Sequence, residues 1–66
     1  MERYEIIIKG HIDQRWEEWF AGLEITLLSR GESRLAGEVA DQAALHGILN
    51  RIRDMGLQLS SVKRQD

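Results

Sequence analysis

The 66 residues contain no cysteine and no proline. Without cysteine there is no disulfide and no thiolate metal site. With only two histidines, a metal cage built from the protein alone is not expected either, so no cofactor is assigned. Without proline, no segment is barred from a central strand. Long apolar runs are also missing. Ile6-Ile7-Ile8 is far short of the roughly 20 residues of a membrane-spanning helix, and short of a signal-peptide core. Nor is there an excess of positive charge: 9 Lys and Arg stand against 11 Asp and Glu, for a net charge of −2. Nucleic-acid binders usually neutralise phosphates with a basic face, so neither nucleic acid nor membrane is expected as a partner. The chain opens on Met1 and is expected to be a whole, small cytoplasmic protein, a compartment that the lack of cysteine suits.

Shortness has its own consequence. A chain of this length buries only about 60% of the surface its unfolded form exposes, which leaves marginal stability. With disulfides and metals excluded, association is the remaining way to add burial, and a homodimer is expected.

What is present reads as one motif written twice. Gly10-His11-Ile12-Asp13-Gln14 leads through a short aromatic stretch to Gly22-Leu23-Glu24-Ile25-Thr26-Leu27-Leu28. Gly37-Glu38-Val39-Ala40-Asp41-Gln42 leads through a longer stretch to Gly56-Leu57-Gln58-Leu59. Each half predicts strand, helix opened by Asp-Gln, and strand opened by Gly-Leu, over about 3–29 and 33–62 of a single domain, 1–66. Tyr4, Ile6 and Ile8 alternate against Arg3, Glu5, Ile7 and Lys9, the period of a half-buried strand. Ile12, Trp16, Phe20 and Leu23 share one face at helical spacing, with Trp19 at their margin and Gly22 as the stop. Ser29 to Ser33 has the composition of a hairpin loop. Asp41 caps a second helix whose stripe is Leu45, Ile48, Ile52 and Met55, and Gly56 closes it.

This order predicts an α+β fold of the ferredoxin-like split βαβ type, a four-stranded antiparallel sheet with two helices on one face. A domain-swapped dimer of the same elements is the alternative. The chain resembles short uncharacterised bacterial proteins. The resemblance is most evident in Asp41-Gln42-Ala43-Ala44-Leu45-His46-Gly47 and in Arg51-Ile52-Arg53-Asp54-Met55-Gly56-Leu57. It implies a bacterial, stand-alone character and carries no catalytic motif.

Few residues suggest chemistry. Lys9, His11 and Asp13 lie near the loop after the first strand, where a histidine beside a carboxylate could serve a ligand or a proton transfer. Asp13 as a helix cap and His11 as a surface residue explain the same pattern. His46 falls with Asn50 and Arg53 on the solvent side of its helix. Trp16 and Phe20 are expected in the core, whereas an exposed Trp19 would be a contact anchor. Ala43 and Gly47 make a small-residue surface on the second helix. On the outer sheet face, Ile7 and Val62 on neighbouring strands, with Ala36 beyond, form an apolar island rimmed by charge. No outward aromatic is available to stack bases.

The function expected from these features is a non-enzymatic interaction or regulatory module that self-associates. Its contact would be the open sheet face at Ile7, Ala36, Val62 and Leu28, with Trp19 and Ala43/Gly47 as a second surface. A ligand-sensing domain with a site at Lys9, His11 and Asp13 is the alternative.

Overall fold

The computed structural model describes residues 2–65. Its strands are β1 (Glu2–Lys9), β2 (Glu24–Leu27), β3 (Glu32–Val39) and β4 (Gln58–Arg64), and its only α-helix among the described residues is α1 (Gln42–Asp54). They form one antiparallel sheet in the order β2-β3-β1-β4. Tyr4, Ile6 and Ile8 of β1 are buried, as alternation and β-branching predict. Leu35 and Val39 of β3 and Ile25 of β2 lie on the same face, beneath Leu45, Ile48 and Ile52 of α1.

The helix α1 is framed by strong local signals. The Asp41 carboxylate accepts from the Ala44 N–H at 2.8 Å, satisfying one of the free donors of the first turn. At the far end Gly56 takes φ +74, its N–H reaches the Arg53 carbonyl, and the Leu57 N–H reaches the Ile52 carbonyl. That pair of bonds is a Schellman closure.

Two helices on one face were expected, and this is corrected: the first is absent. Residues 14–16 make a 3-10 turn, and the chain continues through further turns to Ala21 and Gly22, both at positive φ. Seven residues between a cap at Asp13 and a reversal at Ala21 are too few for a helix to sustain itself, and two tryptophans and a phenylalanine are indifferent helix formers. Tertiary bonds also pull the segment open. The Ile12 N–H donates to Ser33 Oγ, while Gln14 and Glu17 spend their side chains on β2. Ile12, Phe20 and Leu23 still enter the core. Trp16 does not, contrary to expectation, because tightening the turn carries it off the Phe20 face; it is 38% exposed.

The second correction is in β4. Val62 lies opposite Ile6 and packs against the core; it is not on the outer face. Leu57 and Leu59 have one parity and Val62 the other, so a regular strand cannot turn all three inward. The register shifts between Ile7, paired with Ser61, and Ile8, paired with Leu59. Ser60 is thus the extra residue of a β-bulge, and both phases face the core side.

Beyond Leu35, Gly37 sits opposite Tyr4, and a Cβ there would lie 2.9 Å from Leu23 Cδ2. Glycine is required for that close approach. At this end of the sheet the Tyr4 hydroxyl donates to Glu2 Oε1 at 2.8 Å and accepts from Gln42 Nε2 at 2.7 Å, tying β1 to the start of α1. The hydrogen bond to the Glu2 carboxylate is the main reason the Tyr4 phenol is held above its ordinary value of 10.0, with burial adding to it.

Two outcomes follow. Gly37→Ala is expected to cost about 1–3 kcal/mol in urea denaturation, because Leu23 must give way. Gly47→Ala, in α1 where an added Cβ meets nothing within 4 Å, is expected to stabilise by up to about 1 kcal/mol. The single tyrosine also makes its titration readable by phenolate absorbance. The folded state holds that proton more tightly than the unfolded chain. Its contribution to stability is therefore present below the unfolded value and lost as pH rises through the folded one. A phenolate midpoint in the native protein at or below that of the urea-unfolded chain would contradict the hydrogen-bond network.

Candidate interaction surfaces

The outer face of the sheet is ordered by charge. Arg3 faces Glu38 and Lys9 faces Glu32 across the β1–β3 ladder, and Glu5 faces Lys63 across the β1–β4 ladder. Arg34 Nε lies 2.7 Å from Glu5 Oε2, with both side chains partly covered. In register that ion pair crosses between Ile7 and Ala36, and Ala36 is only 8% exposed. Opposite charges on facing strands support one another, and of these residues Arg34 and Glu5 come within ion-pair distance. Of the expected island, Ile7 remains half-buried on this face, Ala36 is covered, and Val62 belongs to the other side. Leu28 is half-buried in the hairpin, where its carbonyl meets His11 Nε2 and its N–H reaches Glu32.

The opposite side of the molecule offers something different. Trp16 and Trp19 stand edge to face with centroids 6.4 Å apart, and Trp19 is 46% exposed. The Arg51 guanidinium lies over the Trp19 ring at 4.8 Å and donates to the Trp19 carbonyl. Stacking of this kind holds an arginine in place while leaving part of its donor fork outward. Beside it, at the seam between the turns and α1, runs an open groove of about 250 Å³, lined by Ala21, Ala44, Gly47, Ile48 and Arg51. The missing side chain of Gly47 forms part of its volume. Trp19 and Gly47 were legible as candidates. Arg51 was not, since its partner lies 32 residues away and nothing local marks the pair.

The turn segment also seals a sheet edge. Glu17 Oε2 accepts from the Ile25 N–H at 2.9 Å, and Gln14 Nε2 donates to the Ile25 carbonyl at 3.3 Å. Both outward groups of that β2 residue are thereby satisfied, as a neighbouring strand would satisfy them.

Lys9, His11 and Asp13 occupy the expected loop but converge on nothing. Lys9 faces Glu32 across the ladder, His11 Nε2 is 3.1 Å from the Leu28 carbonyl, and Asp13 caps the 3-10 turn through the Arg15 N–H at 2.9 Å. His46 is exposed on α1, which begins at the opposite end of β1. Among the described residues no group of three His, Cys, Asp or Glu could hold a metal ion, and no helix is long and apolar enough to cross a membrane.

A family model described as Domain of unknown function (DUF8691) matches residues 3–63. No curated protein and no solved structure matches the chain.

The edge seal has a measurable weight. Glu17→Ala is expected to cost about 1–2 kcal/mol, since it leaves the Ile25 N–H without its charged acceptor, and to speed exchange of the Ile25 amide. Unchanged exchange at Ile25 would remove the seal from the account of the fold.

Proposed function

The chain belongs to the DUF8691 domain family, and we propose that it is a non-enzymatic protein-interaction module that docks another protein in the groove between its tryptophan turns and α1. The observation that carries this reading is the exposed Trp16–Trp19 pair, with Arg51 held over the Trp19 ring beside an apolar floor. Energetic centres of protein contacts are enriched in tryptophan and arginine set around a pocket. At about 250 Å³ the groove suits one apolar side chain of a partner better than a drug-sized ligand. On the outer sheet face Ala36 is covered, Ile7 is half-buried and the Arg34–Glu5 pair crosses between them, so Ile7 and Ala36 lose the leading role. A ligand site at Lys9, His11 and Asp13 has no observation in its favour: His11 meets the Leu28 carbonyl, Asp13 caps a turn, and Lys9 faces Glu32 across the ladder. The cysteine-free composition suits the bacterial cytoplasm in which the module is proposed to act.

The test is comparative capture. Immobilised wild type is expected to retain a defined protein from a bacterial extract. Gly47→Leu, which fills the groove on the solvent side, and Trp19→Ala are expected to lose it. With the purified partner, Trp19→Ala should weaken binding by roughly 30-fold or more, the cost of removing an anchor. Retention of the same partner at equal affinity by both variants, each shown folded by circular dichroism, would reject the groove.

A further inference from the structure

The two edges of the sheet are finished differently. At β2 the outward N–H and carbonyl of Ile25 are occupied by Glu17 and Gln14. At β4 the Gln65 N–H goes to the Arg3 carbonyl, so by antiparallel alternation residues 65, 63 and 61 bond inward to β1. The backbone groups of Val62 then point away from the sheet, and no other group of the described residues bonds them. Beside this edge lies unfinished apolar surface. Val62 and Leu49 are half-buried, Leu59 is 44% exposed and Met55 37%.

We propose that β4 pairs antiparallel with β4 of a second copy, joining two sheets into one of eight strands. Self-pairing fits the strand's own chemistry. With Val62 set against its counterpart, Lys63 faces Ser61 and Arg64 faces Ser60 of the other copy, so no like charges meet. β4 carries no carboxylate, and its half-exposed apolar strip is matched by the same strip on the other copy, as an isologous contact requires. The β2 edge, only four residues long and closed at Ile25, limits growth, so that pairing through the longer β4 edge closes the assembly at two. A chain of 66 residues without disulfides also gains the burial it lacks alone. This contact is separate from the tryptophan groove, and neither proposal depends on the other.

The test is molar mass by light scattering, diluted from roughly 500 to 5 μM, on four proteins. Wild type is expected at twice the 7.6 kDa of one chain at the upper concentrations. Val62→Pro removes an outward N–H that no intramolecular bond uses, and is expected to be a folded monomer. Leu59→Lys, at an exposed position, is expected to shift the dissociation constant at least tenfold. Ile7→Glu, on the outer face, is expected to stay dimeric. If Val62→Pro fails to fold, Leu59→Lys and amide exchange decide: the Val62 amide of wild type should exchange more slowly in concentrated than in dilute solution. A wild-type monomer throughout overturns the proposal. So does a dimer of unchanged affinity in Leu59→Lys, as a domain swap would give, or an Ile7→Glu monomer, as a face-to-face contact would give.

Discussion

A sheet of four strands is about 19 Å wide, and a helix is only about 10 Å across. One helix therefore cannot roof the apolar face of this sheet, and most of the structure answers that shortfall. The helix α1 lies over β3 and β4, and its buried residues meet the middle of the sheet. The rest of the cover is supplied by Ile12, Phe20 and Leu23 from the turns between β1 and β2. These residues come from a segment too short to be a helix, so they reach the core one at a time. The intervening side chains are left to seal an edge or to stand in solvent. A roof made of two unlike pieces has a seam, and the seam is where the groove lies.

The same shortfall accounts for the tryptophans. In a helix Trp16 and Phe20 would be one turn apart and buried together. In successive 3-10 turns Phe20 alone goes inward and Trp16 pairs with Trp19 outside. Arg51 bridges from α1 to this pair, so the cation and the two rings also clamp the two halves of the roof across the seam.

How much of this was legible follows from where the information sits. All four strands and α1 show in the sequence because their signals are local: alternation in Tyr4, Ile6 and Ile8, the Asp41 cap, the Gly56 stop. The first helix was overread because its apolar spacing is helical, whereas its fate depends on length and on Ser33 and Ile25 elsewhere in the chain. The phase of β4 was misassigned because Leu57 and Leu59 outvote Val62 in any regular strand. The conflict between them was nevertheless written in the sequence, with two serines at the point of repair. The expected island of Ile7, Ala36 and Val62 failed with that phase. Arg51 over Trp19 was beyond reach, being a contact between distant segments with no periodic trace.

The strand order has a consequence for how the chain is made. β1 is central, yet β2, the strand that follows it, is not its neighbour; both strands that pair with it, β3 and β4, come later. During synthesis Ile6-Ile7-Ile8 emerges first and finds no partner until residues 32–39 have followed. Only with β4, the last of these four strands, are both of its edges covered. A run of three β-branched residues is thus the one that waits longest for its partner strands. Its flanking charges, Glu5 and Lys9, are of the kind that oppose pairing with other chains in that interval.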